Sequence, residues 1–260
     1  MSTILFHDIV FGPIKSRRLG DSLGVNLAPR YGKICNFDCI YCECGFNEDG
    51  RKDSLIPTKQ DVVKAIEDKL KSYSMDKSGN KIDSITFSGN GEPTMHPCFP
   101  EIIAETISLR NLYAPGTKVS VLTNGSRIGR PEIANALLSI DNAIIKIDSA
   151  IDESVRLINQ PQFDYSVEKI VANLSRFEGK FVLQTMFLRG EFKGAVVDNT
   201  LPAELEAWYS IVKQTRPREV MIYTIDRETP AKGMQKVGVA EMEDISRPLR
   251  EAGFKVIISG

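Results

Sequence analysis

Apolar residues along the chain fall into two alternating rhythms. Short runs rich in β-branched and aliphatic residues predict strands at Leu23–Leu27, Ser84–Ser88, Lys118–Thr123, Ala143–Asp148, Phe181–Phe187, Glu219–Ile225 and Lys255–Ile258. Between them the spacing turns helical. Asp61–Tyr73 puts Val62, Val63, Ile66 and Leu70 on one face and offers Thr58 as its N-cap. Glu101–Leu109, Pro131–Ser139, Ser166–Arg176, Ala203–Gln214 and Glu241–Ala252 read the same way. Pro57, Pro131 and Pro202 stand at or just before first helical turns, where a missing N–H costs nothing. Regular strand–helix alternation predicts an α/β fold whose parallel sheet is joined by right-handed crossovers. The length suits a barrel or an open partial barrel of about six to eight units. Ser74–Lys81 is the segment that reads as a flexible loop.

A chain of 260 residues with 42% hydrophobic positions has enough material for one sizeable core and little for a second, so a single domain is expected. A formal net charge of -1 excludes proteins that coat polyanions by bulk charge. No apolar run approaches the roughly 20 residues that span a bilayer. Ile4-Leu5-Phe6 is interrupted at once by His7 and Asp8, so no secretory leader is expected. In strand–helix folds of this kind chemistry gathers where strands end. Gly89–Glu92, Thr123-Asn124-Gly125 and Asp148 all lie at such ends.

Four of the five cysteines lie between positions 35 and 44, which is a metal-type cluster rather than a disulfide framework. That usage predicts a reducing compartment, the cytoplasm. Cys35, Cys39 and Cys42 form a C-x3-C-x2-C array directly after the first predicted strand. A zinc site would need a fourth ligand, for which Cys44 is available. Three thiolates also suit a four-iron four-sulfur cluster that leaves one iron open.

Cys-x3-Cys-x-aromatic-Cys resembles the signature of the radical S-adenosylmethionine (radical SAM) superfamily. Phe87-Ser88-Gly89-Asn90-Gly91-Glu92-Pro93 is similar to its Gly-Gly-Glu segment, and Lys146-Ile147-Asp148 to its Ser-Leu-Asp strand. The stretch from Phe11 to Gly20, with Ser22-Leu23-Gly24-Val25-Asn26 and the run Tyr223–Pro230, is similar to a subgroup grouped with wyosine-type tRNA-modifying synthases.

The resemblance implies a partial, open parallel (β/α)6 barrel spanning residues 1–260 as one core domain, with a short N-terminal extension over 1–22. It implies a 4Fe-4S cluster on Cys35, Cys39 and Cys42, and SAM as co-substrate. Tyr41 is then an adenine contact or an aromatic shield for the cluster. Gly89, Asn90 and Gly91 form the backbone cradle for the SAM amino group, and Glu92 pairs with that ammonium. Lys146 meets the SAM carboxylate, while Asp148 meets Lys146 or a ribose hydroxyl; a purely structural ion pair is the alternative. Gln184 contacts ribose or carboxylate, Thr123 and Asn124 belong to the rim, and Tyr223 and Ile225 border adenine. The implied activity is reductive cleavage of SAM to a 5′-deoxyadenosyl radical that takes hydrogen from a substrate. Electrons come from a donor such as flavodoxin or ferredoxin. The substrate is tRNA, a peptide of a glycyl-radical enzyme, or a small molecule. Lys15, Arg17, Arg18, Arg30 and Lys33 outnumber Asp8 and Asp21 in residues 1–33, a thin electrostatic footprint for nucleic acid. A non-catalytic zinc or iron–sulfur module is the competing class.

Overall fold

Seven parallel strands carry the architecture of the computed structural model, which describes residues 4–16, 18–49, 53–75 and 81–260. In chain order these are β2 (Gly20–Val25), β3 (Ser84–Phe87), β4 (Lys118–Thr123), β5 (Asn142–Lys146), β6 (Val182–Phe192), β8 (Glu219–Thr224) and β10 (Val256–Ser259). They are hydrogen-bonded in that spatial order, so each strand neighbours its predecessor in the series. The crossover helices are α1 (Lys59–Met75), α2 (Phe99–Tyr113), α3 (Pro131–Leu138), α4 (Asp152–Ile158) with α5 (Val167–Leu174), α6 (Pro202–Thr215) and α7 (Val239–Glu251). Six βα units followed by a last strand make the curled, open half-barrel that the strand–helix alternation calls for.

Both faces of the strands are covered, and their apolar residues fill the core. Leu23, Ile85, Phe87, Val119, Val121, Ile145, Leu183, Val220 and Ile222 are all buried. Helix α1 buries Val62, Ile66 and Leu70, one stripe at four-residue spacing. Its first turn is held by the Thr58 hydroxyl, which accepts from the Asp61 amide at 3.2 Å and donates to the Asp61 carboxylate at 2.7 Å.

Three strands and one helix go beyond the sequence expectation. β1 (Val10–Ser16) pairs antiparallel with β2, so residues assigned to a short extension instead form the edge of the sheet. β6 overshoots the rim, where β7 (Ala195–Asp198) and β9 (Gln235–Lys236) pair with it antiparallel. α4 is the additional helix. Of the expected loop Ser74–Lys81, residues 76–80 lie outside the described residues, as does Arg17 in the N-terminal motif. No described helix is long and apolar enough to cross a membrane.

The end of the sheet where the parallel strands begin is polar. Hydroxyl contacts run from Ser22 to Thr86 (2.7 Å), Thr86 to Ser84 (3.0 Å) and Ser84 to Ser120 (2.8 Å). Asn142 Nδ2 then donates to Ser120 Oγ at 2.9 Å, and Arg218 Nη2 donates to Asn142 Oδ1 at 2.5 Å.

Candidate active site

After β2 the chain folds across the C-terminal rim and meets the loop that follows β3. Ile34 N donates to Asn90 O at 3.0 Å, and Glu92 N donates to Ile34 O at 2.9 Å. This two-bond bridge fixes the residue just before Cys35. Gly91, at φ +153°, is what allows it: a Cβ there would stand 1.8 Å from Ile34 O. Gly89, at φ +130°, would place a Cβ 2.7 Å from Asn26 Oδ1. The two glycines were expected to admit a ligand to the backbone. In the fold they also make room for the Asn26 side chain and for Ile34, and both line the cavity described below.

Asn90 was expected to act through its backbone, and its carbonyl accepts from Ile34 N. Its side chain is buried away from the cavity, donating to Phe6 O (2.9 Å) and Pro29 O (2.8 Å) and accepting from Phe6 N (2.8 Å). It ties the N-terminal segment to the glycine loop.

A cavity of about 650 Å³ opens beside the cysteine loop, and thirteen of the fifteen residues expected at the site line it. They are Cys35, Cys39, Tyr41, Cys42, Gly89, Gly91, Glu92, Thr123, Asn124, Lys146, Gln184, Tyr223 and Ile225. Asn90 and Asp148 stand behind the wall. Asp148 is buried and works through its neighbours. Its carboxylate takes Lys146 Nζ at 2.9 Å, Asn159 Nδ2 at 2.6 Å and the Met186 amide at 2.9 Å, and also receives the Tyr41 hydroxyl.

Lys146 Nζ faces Asp148, the Tyr41 hydroxyl and Cys39 Sγ, the last at 3.5 Å. Three donors therefore meet three protein groups. The ion pair expected of Lys146 and Asp148 is present, and it steers Tyr41 and Cys39. Burial and then Asp148 hold the Tyr41 phenol well above its usual range. Burial works against the Lys146 ammonium, but Asp148 and Cys39 outweigh it and raise its pKa. Tyr223 is pushed up to about 12 by burial and by Asp148.

Glu92 lies among donors rather than free. Its Oε1 accepts from Thr94 N (3.1 Å), Thr94 Oγ1 (2.6 Å) and Thr123 Oγ1 (2.7 Å), and its Oε2 from Asn124 N (2.7 Å). One oxygen is crowded and the other carries a single protein donor. Asn124 reaches Asn36 Oδ1 at 2.9 Å and Cys35 Sγ at 3.9 Å, which joins the third strand end to the cysteine loop. Gln184 is buried and its Nε2 has no hydrogen-bond partner among the described residues. Leaving such a donor unpaired costs about 1–3 kcal/mol. His96 has its Nε2 against Pro57 O at 2.9 Å and its Nδ1 against Cys98 N at 3.1 Å, a structural role.

Three polar residues that sequence reasoning passed over complete the cysteine loop. Lys33 has a side chain only 1% exposed, donates to Gly45 O at 2.7 Å and stands 3.6 Å from Asp38 Oδ1. Burial opposes its charge, yet Cys42, Cys35 and Cys39 together with Asp38 raise its pKa. Asn159 Nδ2 lies 3.3 Å from Cys39 Sγ. Asn47 Nδ2 donates to Cys35 O and Phe37 O, both at 3.1 Å. Only Lys33, two positions before the array, left a local trace in the sequence.

The thiols differ. Burial pushes Cys35 and Cys39 up, whereas a hydrogen bond from Cys44 brings Cys42 down to about 5 and raises Cys44 in turn. Cys44 Sγ also lies 3.4 Å from Gly89 O. Among the described residues no three His, Cys, Asp or Glu side chains stand close enough to hold a single ion. A four-iron cluster asks for less, since each thiolate binds its own iron. Three thiols on one cavity wall, a buried cation beside them and an unpaired amide across the cavity fit such a cluster with a polar ligand next to it.

Residues 30–198 match the Radical SAM superfamily. The chain is 31% identical over 229 residues to a UPF0026 protein of Helicobacter pylori, covering 86% of this chain and 68% of that protein. It is 33% identical over 188 residues to a UPF0026 protein of Methanocaldococcus jannaschii, covering 69% and 54%. A third match, 30% over 240 residues, covers 90% of this chain but 32% of a Brachyspira hyodysenteriae protein named GTPase Obg. The chain thus spans between about a third and two thirds of these relatives.

Among solved structures, a radical SAM methyltransferase from Sphaerobacter thermophilus superposes with a TM-score of 0.68 at 15% identity, covering 92% of this chain and 65% of the other. Streptococcus suis SuiB bound to S-adenosylmethionine gives 0.63 at 11%, covering 88% and 49%. These structural likenesses concern the fold. The chain belongs to the Radical SAM superfamily, whose members are enzymes that use a 4Fe-4S cluster and SAM.

Proposed function

We propose that Cys35, Cys39 and Cys42 hold the cluster and that SAM occupies the adjoining cavity, in a single core domain formed by residues 1–260. The observation that carries this is the convergence of the three thiols, the Lys146–Asp148–Tyr41 group and the unpaired Gln184 amide on one cavity of about 650 Å³. When bound, the reduced cluster and SAM supply the 5′-deoxyadenosyl radical that takes hydrogen from a substrate. The chain's own residues position and shield. Gln184 offers a donor to the SAM carboxylate or ribose, and its pairing there removes the desolvation cost it now bears. Glu92 Oε2, with one protein donor, accepts from the SAM ammonium. Lys146 and Asn159 orient the Cys39 thiolate and the Tyr41 ring, so the adenine meets a fixed wall. Positioning of this kind supplies a large part of such a reaction.

A cysteine cluster at an oxygen-sensitive centre supports a cytoplasmic location, with flavodoxin or ferredoxin proposed as electron donor. The N-terminal resemblance makes tRNA the first substrate to try; a glycyl-radical-enzyme peptide is the second. The test is anaerobic reconstitution with iron and sulfide, then SAM and a strong reductant, with 5′-deoxyadenosine followed by mass spectrometry. Wild type forms it and Cys39→Ala does not. Bound zinc without sulfide, and no product, would refute the reading.

A further inference from the structure

β1 and β2 are joined at the end of the sheet opposite the cysteine loop. Leu19 packs there against Ile144, Val182 and Met221. Ser16 Oγ accepts from the amides of Arg18 (3.3 Å) and Leu19 (3.1 Å), and Asp83 Oδ2 accepts from Asp21 N at 2.8 Å. Gly20, at φ +72°, has no room for a Cβ, which would lie 2.2 Å from Asp83 Oδ2. Arg18 is thereby held as part of the cavity floor, lining both the candidate active-site cavity and the cleft beneath it. Its guanidinium carbon lies 4.6 Å from the centroid of the Tyr223 ring. Its Nη1 is buried and has no hydrogen-bond partner among the described residues, and no described carboxylate pairs with it.

A buried N–H without a partner on this half-buried guanidinium is costly. Stacking on Tyr223 returns part of that cost but satisfies no N–H. What satisfies it is a planar or tetrahedral oxyanion, which the guanidinium fork meets with two parallel hydrogen bonds. We propose that Arg18 anchors an anionic group, carboxylate or phosphate, of the substrate in this cavity, an inference that rests on the function proposed above. It narrows the substrate to molecules that present such a group to the floor of the barrel while their reacting carbon faces the cysteine rim.

The test is anaerobic calorimetric titration of the reconstituted protein, with and without SAM, using inorganic phosphate and succinate as probes. One or both should bind with one site per chain. Arg18→Gln should weaken that binding at least tenfold and Arg18→Lys by less, while SAM affinity stays within twofold and circular dichroism shows both variants folded. Phosphate alone, succinate alone, or both binding in this Arg18-dependent way supports the anchor and tells a phosphoryl from a carboxyl substrate. No binding of either anion, binding unchanged in Arg18→Gln, or an equal loss of SAM affinity overturns it. Failure of the wild type to bind SAM would strike the function proposed above, and the SAM-free titration would still decide on Arg18.

Discussion

Gly91→Ala tests the join between the two loops on which the site depends. The added Cβ would stand 1.8 Å from Ile34 O, where ordinary contact begins at 3.4 Å, so the loops must part by about 1.6 Å. Bonds of 3.0 and 2.9 Å do not survive that opening. Losing two backbone hydrogen bonds costs about 2 kcal/mol, and forcing a side chain into φ +153° adds about 1–3 kcal/mol. A destabilisation of about 3–5 kcal/mol is expected, a large share of what an ordinary domain has. Gly194→Ala is the control: φ is +77° but nothing lies within 4 Å, so it carries backbone strain alone. Urea unfolding of the metal-free proteins by circular dichroism gives the two values, and iron and sulfide analysis after reconstitution gives the consequence for Cys35. If Gly91→Ala lost no more stability than Gly194→Ala and took up a full complement of iron, the bridge would not be what positions the cysteine loop.

Three further outcomes are expected. Lys33→Met removes the cation buried among the thiols and leaves Gly45 O without its donor, so the reconstituted cluster should be reduced at a potential tens of millivolts more negative. Potentiometric titration followed by electron paramagnetic resonance reads this, and an unchanged potential would contradict it. Gln184→Leu should leave the SAM-free protein as stable or slightly more so, because it deletes an unpaired donor, yet lower SAM affinity at least tenfold; the reverse pattern in melting and binding measurements would count against the assignment. Asp141 accepts from the Val119 amide at 2.8 Å and from Arg110 at 2.9 Å, contacts that outweigh burial and hold its carboxyl below the ordinary value. Its stabilisation is complete above an unfolded pKa of about 3.9 and is lost as pH falls through the lower folded value. Asp141→Asn should therefore cost on the order of 1 kcal/mol at pH 7, discounted for partial exposure, with the gap to wild type closing below about pH 4 in urea unfolding.

The buried strands were legible because each carries a fully buried apolar set, and in Ser84–Phe87 the pair Ile85 and Phe87 has no other home. β1 was not, because Val10–Ser16 carries Gly12 and Pro13 and exposes most of its length. β9 and α4 are too short, at 2 and 7 residues, to show a period. At the site, the cysteine spacing and the glycine loop are local and could be read directly. The reason for the glycines could not: a backbone making room for a ligand and one making room for Ile34 call for the same residue. Asn159 approaches Cys39 from 120 positions away, a tertiary fact with no local signature. Arg18 stood in plain view within the N-terminal motif, but only the fold shows that its neighbours turn it inward beneath Tyr223.

The hydroxyl contacts across β2, β3, β4 and β5 have a sense of direction. The amide of Asn142 is oriented from outside, because Arg218 donates to its oxygen and leaves its nitrogen to face Ser120. A hydroxyl that accepts one proton keeps its own paired by passing it onward. The arrangement that keeps every hydroxyl hydrogen but that of the terminal Ser22 within the chain therefore runs from Ser120 to Ser84, Thr86 and finally Ser22. Four neighbouring strands are stapled by a chain of aligned O–H dipoles whose polarity is set by one exposed arginine at its far end. A slip of any strand by one residue would carry its hydroxyl to the opposite face and break the chain. The same few side chains thus act as a register lock for the half of the barrel that carries the glycine loop.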